Sequence, residues 1–447
     1  MKNESPKAVD FVSRQKRLLK SLGKGVAVFP SPPPTIRNND VHFPFRQSSN
    51  LYYLTGFREA QSIGLFAPAT KNPVRMFVQP KDKTKELWEG PILGPAKAKK
   101  LTGADAAYPS SPSNFFDEAL IQALCESDCL YYRVGVDQAF DQRIFHLLSK
   151  ASKRLGRTGR ALWPILDPDE ILGEMRLEKD DAEIQRMQVA ADITARAHSY
   201  AMQITRPGMY EYEIEAALFQ SFRAQGADRV GYESIVAAGS NACVLHYIEN
   251  SKKMQARDLL LIDAGAEYQY YTADITRCFP VGGRFSEPQK EVYSAVLNAQ
   301  KACIDEAKPG STMKKIHDTA VEVLVEELKK LKLLKGPSSK IIKDKSYRQY
   351  FPHGTGHWLG MDVHDVGRYY DGDYDTSRKL KAGYAFTIEP GLYFGPGTQA
   401  PAKYKGIGVR IEDDIVITNK GCRILTAGVP KEIDEVENLC NQQDSVH

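Results

Sequence analysis

The sequence is short of the features that mark several large classes of protein. Its longest apolar runs, such as Leu259-Leu260-Leu261-Ile262, fall far below the roughly 20 residues that cross a bilayer, so a helical membrane protein is excluded. Cysteine is scarce and unpatterned: seven residues, an odd number, form no CxxC pair. A disulfide framework is not expected, and the thiols read as those of a reducing compartment. An excess of one charge is missing too. Sixty Lys and Arg against 56 Asp and Glu leave a formal charge of +4, far from the basic surplus of a nucleic-acid-binding protein. Residues 1–23 lack the apolar core of a secretory signal, and Glu4 and Asp10 argue against a transit peptide. The cytosol is therefore the expected location, with a processed mitochondrial form as the alternative. What remains is an ordinary globular composition, 42% hydrophobic and 26% charged, in a 447-residue chain long enough for two or three domains.

Along the chain, the first third mixes short β-like runs with helices. Gly25–Phe29, Leu51–Leu54 and Arg75–Val78 read as strands; Val9–Leu22, Phe115–Glu126 and Ala139–Arg154 read as helices. The prolines of Trp163-Pro164-Ile165-Leu166-Asp167-Pro168 mark a linker, and the expected domains are 1–174 and 175–447. Long helical patterns follow at Asp181–Ile204, Glu211–Gln225, from Ser286 with Gln289 as a capping box, and at Met313–Leu333. Strand-like runs at Leu259–Asp263, Ala385–Glu389 and Val409–Thr418 alternate with them, which predicts α+β rather than a doubly wound sheet. The Lys-rich stretches at Lys97–Lys100 and Lys329–Lys345 read as solvated faces rather than partner sites.

Three local patterns carry chemistry. In the first, an apolar run ends at Asp263, and Asp274 follows eleven residues later. A two-residue turn at Tyr268-Gln269 would set the two acids directly opposite one another, with Cβ atoms about 4.5–5.5 Å apart. Two facing carboxylates resist joint ionisation unless a cation lies between them. In the second, His353, His357 and His364 fall within twelve residues, but Gly354 and Gly356 and the absence of a Glu after His353 rule out a zincin helix. His317, on the Met313–Leu333 pattern, reads as a helix-surface residue. In the third, Glu389 and Glu412 each sit in an apolar β-prone run, and strand alternation puts Arg410 and Glu412 on one face. A carboxylate buried in such a run needs a partner. Two Asp, one His and two Glu form an oxygen-rich donor set with one imidazole, which favours Mn²⁺-like cations over structural zinc and suits a two-metal site.

Asp263-x10-Asp274, His357, Glu389 and Glu412, in this order, resemble the proline-specific metallopeptidases, and the aminopeptidase P group in particular. The flanking stretches His353–Gly360, Asp362–Gly367, Ile388–Tyr393 and Gly408–Asp414 carry the same resemblance, as do Arg37–Asp40, Phe45-Arg46-Gln47 and Tyr53–Phe57 near the front. The resemblance covers essentially the whole chain. It implies a pita-bread catalytic domain behind a smaller α/β domain, and a site holding two Mn²⁺, other divalent metals being admissible. It further implies that Asp263 chelates one metal, that His357 and Glu389 hold the other, and that Asp274 and Glu412 bridge them. Glu389 would also pass a proton to the leaving proline nitrogen. His246, His353 and His364 match histidines near the substrate, and Tyr393 and Arg410 match pocket positions. The implied activity is release of the first residue from peptides with proline second; an Xaa-Pro dipeptidase and a non-enzymatic peptide-binding domain are the alternatives. Partners are peptides, with neither nucleic acid nor membrane, and the group often forms dimers or tetramers.

Overall fold

A computed structural model describes residues 6–111, 114–157, 163–372 and 376–442. The chain divides into two compact units, one spanning Ala8–Glu174 and the other running from Met175 onward and taking in Lys7.

The first unit is built on a six-stranded mixed sheet. Val26–Pro30 lies at its middle, antiparallel to Ile63–Phe66 and parallel to Leu130–Tyr131. Val74–Val78 and Ala106–Pro109 extend one side and Ile165–Leu166 the other. Helices Phe115–Cys125 and Gln138–Leu155 bury Phe116, Leu120, Leu124, Ile144 and Leu147 in one apolar cluster with the strand residues Val26, Val28, Leu65 and Phe77. Asp137 caps the second helix by accepting from the Ala139 and Phe140 amides. One expectation fails here: Leu51–Leu54 is not a strand but the centre of a helix, Ser49–Thr55. The run is buried throughout, so it carries no period that separates strand from helix. The caps decide it. Ser48 accepts from the Leu51 amide, and Gly56 closes the helix at φ 65°.

In the second unit the expected helices form at Asp181–Ile204, Glu211–Ala224, Glu287–Glu306 and Met313–Lys330. Reciprocal capping bonds between Asp180 and Glu183 start the first, and at the start of the third the Ser286 amide donates to Gln289 Oε1 (2.8 Å). Their apolar residues, among them Ile193, Ile214, Val296 and Leu324, join Leu261, Phe279, Phe386, Val409 and Ile415 of the strands in a single core. Two antiparallel sheets frame the site. One orders Ile235–Ala238, Leu259–Asp263 and Thr276–Pro280; the other orders Ala385–Ile388, Asp413–Ile417 and Cys422–Ile424.

Two details of these sheets differ from the sequence reading. The hairpin after Asp263 turns at Gln269-Tyr270, one residue later than expected, with Tyr268 paired to Tyr271 and both turn residues at positive φ. The register therefore sets Asp263 opposite Thr276, not Asp274. The run Val409–Thr418 is also not one strand. Gly408–Arg410 pairs with Gly391–Tyr393, and Asp413–Ile417 pairs with Ala385–Ile388. Both chains leave the ladder in the gap: the Glu389 amide donates to the Thr355 carbonyl, Pro390 has no amide to give, and the Glu412 amide donates to the Thr276 carbonyl. Glu389 and Glu412 thus sit facing each other at this interruption, in the register that runs on from Ile388–Asp413 to Gly391–Arg410, and Arg410 and Glu412 share one face as alternation predicts.

Candidate metal centre

These junctions deliver their acids to one cavity of about 470 Å³. Asp263, Asp274, His357, Glu389 and Glu412 all line it, together with His246, His353, His364 and Arg410. Ligand atoms of Asp274, His357 and Glu412 lie within 4.8 Å of one another. His357 Nε2 is 3.4 Å from Asp274 Oδ2 and 3.6 Å from Glu389 Oε1, and its Nδ1 lies 3.1 Å from the Trp358 carbonyl, which leaves Nε2 for the cavity. Asp263 turns to Arg410, which pairs with it and donates to Thr276 Oγ1 (3.0 Å) and to the Tyr393 hydroxyl (3.1 Å). Thr276 in turn donates to Glu412 (2.6 Å).

Tyr393 does not line the cavity. It is 4% exposed, and its hydroxyl lies between His353 Nε2 (2.8 Å) and Arg410, so it orients both rather than facing the cavity itself. His317 is no surface residue: half-buried, it meets Thr355 Oγ1 at 2.8 Å and packs its ring on Phe351. Arg410 and Glu412 are both buried, at 4% and 2% exposed.

The structure adds residues that local patterns miss. The Tyr232 hydroxyl lies 2.7 Å from Asp263 Oδ1 and 2.5 Å from Asp274 Oδ1, so it links the two acids that the strand register does not pair. Asp414 accepts from the Asp274 amide at 3.0 Å. Behind Glu412, the buried Arg277 pairs with Asp413 at 2.7 Å, and Lys431, Gln300 and Thr426 complete that carboxylate. Tyr232 lies in an unpatterned loop and left no signal. The Asp413-Asp414 pair directly after Glu412 did leave one, as acids inside an apolar run.

Electrostatics test whether cations fit. Burial first, then the charge of Asp274, pushes the Glu412 and Asp414 carboxyls well above their usual range. Asp263 is raised by burial despite Arg410, and burial lifts Glu389 to about 7 against His357 and Arg410. Among the four candidate carboxylate ligands only Asp274 is held low: burial raises it, but the hydrogen bond and charge of His357 outweigh that. His357 rises to about 9 because Asp274 and Glu389 overcome its own burial. Four buried carboxyls and the half-buried Glu389 therefore crowd around two cationic side chains. Divalent cations fit this donor set, because they supply the missing positive charge to oxygen ligands with one imidazole.

The wall behind His357 is tight. The Thr387 amide donates to the His357 carbonyl (2.9 Å), and the Thr387 hydroxyl accepts from the His357 amide (3.1 Å). A Cβ on Gly356 would overlap the Thr387 carbonyl oxygen. Gly356→Ala is therefore expected to displace His357 and to lower activity by about 100-fold, with metal content falling in parallel, measured by kinetics and elemental analysis. Undiminished metal content would show that this close approach does not set the ligand.

Comparison with known proteins supplies the lineage. Residues 185–419 match metallopeptidase family M24, and residues 11–131 match the aminopeptidase P N-terminal domain. The Xaa-Pro aminopeptidase of Haemophilus influenzae is 42% identical over 406 residues, covering 91% of this chain and 90% of that protein. The Escherichia coli Xaa-Pro aminopeptidase is 39% identical, covering 96% and 97%. Among solved structures, Pseudomonas aeruginosa aminopeptidase PepP superposes with a TM-score of 0.93 at 40% identity over 98% of both chains. A zinc-substituted E. coli aminopeptidase P in complex with product gives 0.92 at 36% identity, covering 99% and 100%. The α+β fold is that of these structures, a pita-bread domain preceded by an aminopeptidase P-type N-terminal domain. On fold, cavity and full-length likeness together, the chain belongs to metallopeptidase family M24, in the branch that carries the aminopeptidase P N-terminal domain.

Proposed function

We propose that the protein is a manganese-dependent Xaa-Pro aminopeptidase that releases the first residue of peptides whose second residue is proline. One observation carries this reading. A cavity that gathers four candidate carboxylate ligands, His357 and three further histidines lies in a chain whose full-length relatives are named Xaa-Pro aminopeptidases. In it, residues 175–447 form the catalytic domain and 1–174 the N-terminal domain.

Asp263 would hold one Mn²⁺, His357 and Glu389 the other, and Asp274 and Glu412 both. When bound, the two cations polarise the scissile carbonyl and lower the pKa of a water. The chain's own groups do the rest. Glu389, which lines the cavity 3.6 Å from His357 Nε2, is placed to take the water's proton and hand it to the proline nitrogen as the C–N bond breaks. His364, whose ring meets that of His357 edge-on at 4.4 Å, faces the cavity where it can donate to the developing oxyanion. His353 is oriented at both nitrogens, by the Gly354 carbonyl (2.6 Å) and the Tyr393 hydroxyl, and burial followed by the charge of Arg410 lowers it to about 4. It therefore meets the substrate as a neutral imidazole. His246 and Arg410 complete the substrate-facing wall. Among the described residues no helix is long and apolar enough to cross a membrane. A cytoplasmic location and a dimer or tetramer belong to this reading.

The test is hydrolysis of an Xaa-Pro-Pro tripeptide and an Xaa-Pro dipeptide, with Mn²⁺, with Zn²⁺ and with a chelator. Release of the first residue from the tripeptide, strongest with Mn²⁺ and lost on chelation, is the expected result. Cleavage of the dipeptide alone would make the protein a prolidase. Cleavage of neither by metal-replete protein would favour a peptide-binding domain.

A further inference from the structure

Opposite the histidine loop, one wall of the cavity is the segment 239–252. Leu245, His246 and Ile248 line the cavity, and Ile248 stands 51% exposed. The segment has little regular structure beyond a 3₁₀ turn at Gly239–Cys243. A loop with so few backbone bonds of its own needs an external anchor to hold a histidine in place.

Asn250 supplies one, through the Val236 amide and the Ser234 carbonyl, and a buried carboxylate supplies the one that reaches both ends of the loop. Glu211, the first residue of helix Glu211–Ala224, is fully buried and accepts four hydrogen bonds from this segment and the residue before it. Its Oε1 accepts from the Ala238 amide (2.7 Å) and Asn241 Nδ2 (3.1 Å). Its Oε2 accepts from the Tyr247 hydroxyl (2.8 Å) and the Lys252 amide (2.8 Å). The donors come from both ends of the loop and from the residue next to His246. Four donors fill the acceptor sites of a carboxylate, and the helix N-terminus favours its charge. The Glu211 amide donates to the Lys252 carbonyl at 3.1 Å, closing the base of the loop on the same residue. Glu211 neither lines the cavity nor belongs to the candidate ligand group.

We infer that Glu211 is a positioning residue for substrate: by tying Ala238, Asn241, Tyr247 and Lys252 to one point, it sets where His246 and its apolar neighbours meet the peptide. This rests on the proposed aminopeptidase activity. A glutamine at 211 keeps the shape but puts an amide donor where donors already converge, so two of the four bonds lose their acceptor.

The experiment is a double-mutant cycle on the full-length, Mn²⁺-loaded protein: wild type, Glu211→Gln, His246→Ala and the pair, assayed on the tripeptide, with amide hydrogen exchange on each. In the wild-type background Glu211→Gln is expected to lower kcat/KM about 10-fold, mainly through KM. In the His246→Ala background the loss should be clearly smaller, because only the placement of Leu245 and Ile248 is left to disturb. Exchange at residues 241–249 should quicken about 10-fold while Leu259–Asp263 stays protected. Equal losses in both backgrounds, or unchanged exchange in the loop, would overturn the inference and leave Glu211 a purely structural residue. If Glu211→Gln does not fold, Tyr247→Phe removes one of the four bonds beside His246. It should then raise KM about 3- to 5-fold with the same non-additivity. A wild type that does not cleave the tripeptide refutes the activity; the exchange result still decides whether Glu211 holds the loop.

Discussion

Replacing Asp274 with alanine is expected to lower kcat/KM on an Xaa-Pro-Pro tripeptide by about 10³-fold or more, equivalent to ~4 kcal/mol of transition-state stabilisation. Asp274 touches more of the centre than any other candidate ligand. It lies 3.4 Å from His357 Nε2, accepts from Tyr232, and shares a 4.8 Å neighbourhood with His357 and Glu412. Its removal takes away an oxygen donor and also the charge that holds His357 protonated in the metal-free site. The fold should survive, because the same charge adds to burial in pushing Glu412 and Asp414 upward and its loss relieves that repulsion. Steady-state kinetics, elemental analysis and a thermal melt on the same preparation separate the two effects. Full activity in the variant would sink the two-metal account.

The second large effect is a pH dependence that metal reverses. In the metal-free protein, folding raises Glu389 from 4.5 to about 7 and His357 from 6.5 to about 9. Asp263, Glu412 and Asp414 shift in the same direction; Asp274 opposes them, as do His198 and His353, each lowered to about 4. Above about pH 6.5 those two histidines are neutral in both states, and the folded chain binds more protons than the unfolded one. Stability therefore declines as pH rises from there to about 9, with a weight on the order of 3 kcal/mol for His357 at full titration. The melting temperature of chelator-treated protein should accordingly fall by several degrees between about pH 6.5 and pH 9. Mn²⁺ needs the deprotonated ligands, so the stabilisation it brings should be larger at the alkaline end. Thermal melts with chelator and with Mn²⁺ across that range check both statements. A metal-free melting temperature that is flat or rising with pH would mean that the carboxyls are not crowded as the structure has them.

Whatever depended on residue type and nearby order was legible in the amino-acid sequence. Two Asp, one His and two Glu at glycine- and proline-marked turns named the donor set, because such residues inside apolar runs must be compensated when buried. The capped helices at Asp181–Ile204 and Glu287–Glu306 were legible for the same reason, since their start signals lie within one turn. What only the tertiary structure decided depends on partners far along the chain. Ser49–Thr55 is a helix because its caps override an apolar run without period. Turning at Gln269-Tyr270 moved Asp263 opposite Thr276, so the two aspartates meet through Tyr232, which is 31 and 42 residues away from them. Glu389 and Glu412 keep the register of their hairpin, but their amides bond to the distant Thr355 and Thr276 carbonyls. Glu211 reads in the sequence as one more acid at a helix start; only the folding back of residues 238–252 brings four donors to it. Local pattern specifies which side chains are available, whereas the positions of buried charges follow from long-range hydrogen bonds that no short window contains.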